Sequence, residues 1–235
     1  MFAALAKAFA QLDDPRLQHI VLWSVGLALG VLLALGVVLW VVIVQLHLFS
    51  LGWLESLLEW GSALAIAVLL ILLFPAAVSA TIGLFLEAVA AAVERRHYPE
   101  LPPPRTQPMR EAVVAGLKFA LVAILLNVAV MPLYLVGIFL PPLNFFVFYG
   151  LNGYLLGREY YETVALRRLE AGSAREVRRR NSGRIFLSGV VITVMLTVPL
   201  LNLIAPVIAT AFMVHIFESI RRKEAPAWTA NPKFQ

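Results

Sequence analysis

Two long runs without a charged residue constrain this chain more than any other feature of its sequence. The first run covers residues 20–44 and the second covers residues 60–86. An α-helix rises about 1.5 Å per residue, so either run is longer than the roughly 30 Å hydrocarbon core of a bilayer. Both runs therefore predict helices that cross a membrane.

The composition of the whole chain excludes a water-soluble protein. Hydrophobic residues make up 61% of the 235 residues and charged residues only 14%, and the mean hydropathy is +0.85. A soluble globular domain carries about 25% charged residues. The chain has no cysteine, which excludes a disulfide framework, a thiolate metal site and a thiol nucleophile.

We therefore predict an all-α integral membrane protein that forms a single membrane domain over residues 1–235. It has two long transmembrane helices and two shorter helical hairpins that are broken by proline and re-enter the membrane. In chain order we expect an interfacial helix (1–15), long transmembrane helices (17–48 and 54–97), hairpin 1 with a cytoplasmic extension (108–170), hairpin 2 (174–222) and a tail (223–235).

The re-entrant form of the hairpins follows from their short apolar arms. Prolines at positions 132, 141, 142, 199 and 206 interrupt the second half of the chain without a charged loop between the arms. The arm at 185–198 rises only about 21 Å, which is too short to cross the hydrocarbon core. The turn at 199–206 is rich in leucine and uncharged, so we expect it at membrane depth, buried against protein.

The positions of the basic residues predict the topology. All 19 lysines and arginines lie within residues 7–16, 95–118, 158–184 and 221–233, and the loop between the long runs carries Glu55 and Glu59 instead. Positive-inside reasoning places both termini and the basic loops in the cytoplasm. This placement beside apolar runs explains the basic charge without nucleic-acid binding. Re-entrant hairpins and full helix pairs satisfy the charge pattern equally well.

Motifs of enzyme chemistry are missing from the sequence. The four histidines form no His-Glu-x-x-His zinc pair, and Ser188 lacks the surroundings of an intramembrane serine nucleophile. Gly150, Gly153 and Gly157 are spaced for close helix packing and not for phosphate binding. We predict no enzyme activity, no metal and no cofactor.

Four charged residues near the membrane ends form a candidate polar network, namely Glu87, Arg158, Glu159 and Glu162. Arg158 and Glu162 are four residues apart, so they meet on one face of a helix. The alternative is that these long side chains extend to water. Glu94 with Arg95 and Arg96 is interpreted in that way, as the point where a helix leaves the membrane.

The chain resembles the CysZ-type sulfate permeases of the etoposide-induced-protein superfamily over nearly its whole length. Three strings carry the resemblance: Pro-Leu-Leu-Asn-Leu at 199–203, Phe-Pro-Ala at 74–76 with Gly-Leu at 83–84, and Gly-Arg-Glu-Tyr-Tyr-Glu at 157–162. The resemblance implies a multi-pass homo-oligomer of the bacterial inner membrane that takes up sulfate or a related oxyanion for cysteine biosynthesis. The alternative is a non-transporting scaffold or assembly factor that binds anionic lipid or a protein partner.

The resemblance also implies an anion contact at Arg16, just inside the first long helix. The exposed N–H groups of a helix start favour an anion there. In this chain Asp14 replaces the glycine of the family's turn, and Asp13 adds a second carboxylate. The candidate residues along the path are Asn144, Asn152 and Asn202, for which hydrogen bonding between helices is the alternative role.

Overall fold

The computed structural model describes residues 1–45, 52–106 and 108–229, and these residues form α-helices and one 3-10 helix without a strand. The all-helical prediction is confirmed. The helices are α1 (Phe2–Ala10), α2 (Pro15–Gln45), α3 (Gly52–Gly83), α4 (Leu86–His97), α5 (Met109–Val136), α6 (Pro141–Ala165), α7 (Ala171–Arg180), α8 (Ser182–Thr197), α9 (Pro199–Asn202) and α10 (Ala205–Thr229), with the 3-10 helix at Gln11–Asp13. Residues 46–48 of the first predicted span and 230–235 of the predicted tail lie outside the described residues.

Three of the described helices are long and apolar enough to cross a membrane: Pro15–Gln45, Trp60–Gly83 and Met109–Val136. The first two coincide with the uncharged runs. The third is α5, which continues through Pro132 for 28 residues, or about 42 Å. Proline is tolerated inside membrane helices because neighbouring groups satisfy the carbonyl that it leaves free. The arrangement of two long helices and two re-entrant hairpins is therefore not confirmed.

Other prolines begin helices, as their fixed backbone angle favours. Pro141 is the first residue of α6 and Pro199 is the first residue of α9. The break between α3 and α4 follows Gly83, where the amide of Phe85 donates to the carbonyl of Ile82 at 2.8 Å. The segment 54–97 thus contains two helices.

The long helices expose most of their surface, and the second hairpin supplies much of the core. Within the most apolar 18 residues of α5 no residue is buried. In contrast, every residue of α10 from Ala205 to Glu218 is buried, and the helix packs on α1, α4, α6 and α8. The adjoining turn is half-buried, with Leu201, Leu203 and Ile204 against the same core. This agrees with the expected burial of the turn against protein.

Glycines allow α6 and α8 to approach within backbone contact. A Cβ at Gly157 would lie 2.5 Å from the carbonyl oxygen of Ile185, and one at Gly189 would overlap the carbonyl oxygen of Gly153. Gly150 faces open space. The predicted packing role is therefore confirmed for Gly153 and Gly157 but not for Gly150.

Candidate anion site and the charged end of the helices

The side-chain carboxylate of Asp14 caps the start of α2. The amide of Arg16 donates to Oδ1 of Asp14 at 2.9 Å, and Oδ2 of the same carboxylate lies 3.5 Å from Nη1 of Arg96. Asp14 is 8% exposed, and a carboxylate in this position satisfies one of the free amides of a helix start. The backbone amide of Arg16, the predicted anion contact, is thus already occupied.

The side chain of Arg16 is exposed. Within the described residues no ion pair to this guanidinium is recorded. An anion that approaches this turn therefore meets a free guanidinium on one side and the carboxylate of Asp14 on the other. Arg16 remains a predicted contact, but the side chain alone has to supply it.

The three asparagines have different surroundings. The side chain of Asn144 packs on Gly137, at the turn between α5 and α6, and its Oδ1 is buried without a partner among the described residues. Asn152 donates to the carbonyl of Phe148 in its own helix at 2.8 Å. Asn202 ends α9 and makes polar contacts. Of the three, Asn144 thus presents a buried oxygen without a partner among the described residues.

The predicted polar network gathers around one cavity. Glu87, Glu159 and Glu162 line a space of about 260 Å³ between α4, α5 and α6. Nε of Arg158 donates to Oε1 of Glu162 at 2.9 Å, and Nε of Arg178 lies 3.6 Å from the same oxygen. Three carboxylates in one cavity repel a free anion, so this network suits helix packing better than sulfate binding.

Sequence reasoning missed the two ion pairs with the least exposed side chains among the described residues. Glu94 is 6% exposed; its Oε2 lies 3.2 Å from Nη2 of Arg167 and 2.5 Å from Nη2 of Arg168. These contacts fasten the end of α4 to the connection between α6 and α7. The interpretation of Glu94 as a residue that leaves the membrane for water is therefore wrong. No local pattern could reveal partners more than seventy residues away in the chain.

Two histidines that look scattered in the sequence meet in the structure. The ring centroids of His97 and His215 are 4.9 Å apart, and the hydroxyl of Tyr98 lies 2.8 Å from Nδ1 of His215. Among the described residues no group of three His, Cys, Asp or Glu could hold a metal ion. The cluster instead combines histidine, tyrosine and nearby cationic side chains.

Comparison with known proteins gives one match. The family described as "Sulfate transporter CysZ/Etoposide-induced protein 2.4" matches residues 4–206, which is most of the chain. No curated protein and no solved structure matches it.

Proposed function

Since the chain belongs to the Sulfate transporter CysZ/Etoposide-induced protein 2.4 family, we propose that it is a permease for sulfate or a related oxyanion. The observation that carries this proposal is the family match over residues 4–206. The matched region contains all three helices that are long and apolar enough to cross a membrane. A non-enzymatic transport role agrees with both observations.

The charge distribution supports an anionic substrate. Basic residues lie in α1, α4, α7 and α10. Helix α10 contacts α1 and α4 directly, and α6 and α8 connect it to α7. Clustered positive charge raises the local concentration of anions and speeds their arrival. By the positive-inside rule the basic end of these helices faces the cytoplasm, so it is the end at which an imported anion is released.

The physiological role that we propose is sulfate supply for cysteine biosynthesis, in the inner membrane of a bacterium. The termini lie in the cytoplasm, and the protein assembles as a homo-oligomer whose subunits cover part of the outward apolar surface. The exposed apolar face of α5 supports such an assembly, because lipid or another protomer has to cover it. Arg16 is the anion contact, and Asn144, Asn152 and Asn202 line the path.

Uptake by purified protein in liposomes tests the proposal. We expect saturable entry of radiolabelled sulfate that excess unlabelled sulfate and sulfite compete away, and that protein-free liposomes do not show. Phosphate and chloride as competitors define the selectivity. Folded, correctly inserted protein that gives no uptake above empty liposomes contradicts the permease and favours the scaffold that binds anionic lipid or a partner.

A pair of arginine variants tests the anion contact. Arg16→Ala removes one charge-assisted contact and should weaken sulfate binding by about 1.5–3 kcal/mol. Arg95→Ala removes an exposed arginine on α4 and serves as the control for a general loss of charge. Equal sulfate affinity of the two variants in calorimetric titration would remove Arg16 from the site.

A further inference from the structure

A cavity of about 320 Å³ opens where α1, α4 and α10 meet at the basic end of the helices. One water occupies about 30 Å³ in the liquid, so the cavity holds a tetrahedral anion together with several waters. Its cationic and hydrogen-bonding lining comes from four helices and the residue after α4: Lys7, His97, Tyr98, Arg184, His215 and Arg222.

His215 is the most buried of these groups, at 3% exposed. Its Nδ1 contacts the hydroxyl of Tyr98 at 2.8 Å, while its Nε2 has no hydrogen-bond partner among the described residues. Nε2 of His97 is also buried and unpaired there. A buried polar atom without a partner costs about 1–3 kcal/mol, so the two rings leave a hydrogen-bonding demand beside the cavity.

We propose that this cavity binds a tetrahedral oxyanion, a sulfate or phosphate group, through Nε2–H of His215 and the cations Lys7, Arg184 and Arg222. In this state the hydroxyl of Tyr98 donates to Nδ1 of His215, which leaves the proton of the neutral ring on Nε2. The buried ring then supplies a directed donor, and the cations supply the charge.

The charges that surround the cavity have a positive balance. Lys7 is exposed and has no recorded ion pair among the described residues, and Arg184 donates to the hydroxyl of Ser219. Among the described residues that line the cavity, Glu218 is the only one with a carboxylate. Its Oε2 accepts from Nε of Arg221 at 2.8 Å.

The guanidinium of Arg222 contacts two neighbouring side chains. Nη2 lies 2.8 Å from the exposed carboxylate of Glu100, and the guanidinium carbon lies 5.2 Å from the centroid of the Tyr98 ring. An exposed pair of this kind contributes little stability. Arg222 is therefore able to turn towards an anion at small cost.

Burial is the main cause of the lowered pKa values of the two histidines, and nearby cations lower them further. Burial lowers the pKa of His215 to about 4, with further lowering by His97 and Lys7. Burial, Arg96 and Lys7 lower the pKa of His97, and Asp14 opposes them. The smaller contributions, from Lys7 and Arg96, come from positive charges that also attract a dianion.

The inference deepens the proposed permease and rests on it for the choice of sulfate, since the cavity lies at the end from which an imported anion would leave. The same chemistry would also hold the phosphate of a lipid headgroup. The test therefore measures binding separately from uptake and distinguishes the free anion from the lipid.

Equilibrium binding of sodium sulfate to the full chain in neutral detergent is measured by calorimetry for matched variants. Lys7→Gln and Arg222→Gln should each weaken binding about tenfold, the equivalent of one charged contact. Lys223→Gln is the control, because Lys223 is exposed, follows Arg222 and does not line the cavity. This variant should bind sulfate as tightly as the unaltered protein does. His215→Leu should abolish the directed donor, and His215→Gln, which keeps an N–H group, should restore part of the affinity.

A second arm replaces the detergent with nanodiscs that contain either phosphatidylglycerol or phosphatidylcholine alone. Sulfate binding that depends on these residues supports the free anion. Retention of phosphatidylglycerol that depends on them, without sulfate binding, supports a headgroup. Lys7 and Arg222 are exposed, so the variants Lys7→Gln and Arg222→Gln should fold. If neither variant changes sulfate binding or phosphatidylglycerol retention, the site is refuted.

The two hypotheses fail in different ways. Sulfate uptake that continues unchanged in the cavity variants refutes the cavity as a step of transport and leaves the permease intact. Sulfate binding that depends on the cavity, together with no uptake by any form of the protein, refutes the permease and leaves the binding site intact.

Discussion

Replacement of Glu94 by glutamine should destabilise the protein far more than its position near a helix end suggests. The carboxylate is 6% exposed, and the side chains of its partners Arg167 and Arg168 are 10% and 9% exposed. Removing the charge leaves two guanidiniums unpaired in a place that water barely reaches, and breaking a buried pair costs about 3–5 kcal/mol. Glutamine keeps one acceptor oxygen, so we expect the lower value, about 3 kcal/mol.

Thermal unfolding in detergent, followed by circular dichroism, measures this effect. For a chain of this size a loss of about 3 kcal/mol lowers Tm by roughly 6–12 °C. Glu100→Gln is the control, because its pair with Arg222 is 55% and 58% exposed and such pairs contribute about 0–1 kcal/mol. Arg168 also donates to the carbonyl of Pro102, in the run of three prolines at 102–104 between α4 and α5. The Glu94 variant should therefore be cleaved faster by protease in this connection. Equal Tm values for the two variants would show that the Glu94 pairs are not desolvated.

Four further predictions concern packing, topology, the pH dependence of sulfate binding and the pH dependence of stability. Gly189→Ala forces α6 and α8 apart and should destabilise the protein by about 2–3 kcal/mol, whereas Gly150→Ala, which faces open space, should be neutral or slightly stabilising in the same melts. Arg179→Cys places a single thiol on the exposed face of α7 in a chain without cysteine; an impermeant external reagent should not label it in intact cells, and labelling in most molecules contradicts cytoplasmic basic loops. A bound dianion raises the lowered pKa values of His97 and His215 and so takes up protons, which predicts tighter sulfate binding at pH 5.5 than at pH 7.5; equal or weaker binding by folded protein at pH 5.5 contradicts this linkage. Without anion, the folded-state pKa of His215 of about 4 lies below its ordinary 6.5, so stability present above pH 6.5 should decline as the pH falls towards 4 and sulfate should restore part of it.

The long helices could be predicted because their signal is local. The uncharged run at 20–44 lies inside α2, since bilayer length and absence of charge are properties of neighbouring residues. The same local reasoning wrongly predicted that Pro132 interrupts its helix. A local rule treats proline as a break, while α5 continues past it because a membrane helix tolerates a missing hydrogen bond when surrounding groups satisfy the carbonyl.

The charged contacts depend on distant residues, and sequence patterns do not reveal them. Arg158 and Glu162 could be paired in advance because four residues make one helical turn. Glu94 and His215 have partners that lie 73 and 117 residues away in the chain, and only packing of α4 on α6 and α10 brings them together. Residues that the sequence places near a water-exposed helix end are thus buried between helices.

The carboxylate at the start of α2 sets the kind of anion chemistry that its turn supports. Asp14 accepts from an amide two residues away, so it competes with a free anion as a tethered ligand, at an effective concentration of about a millimolar or more. A free anion held by the guanidinium of Arg16 alone therefore exchanges rapidly and occupies the turn only from a concentrated medium. At the cytoplasmic end such a turn suits rapid release of an imported anion, and capture from a dilute medium requires a tighter site elsewhere in the protein.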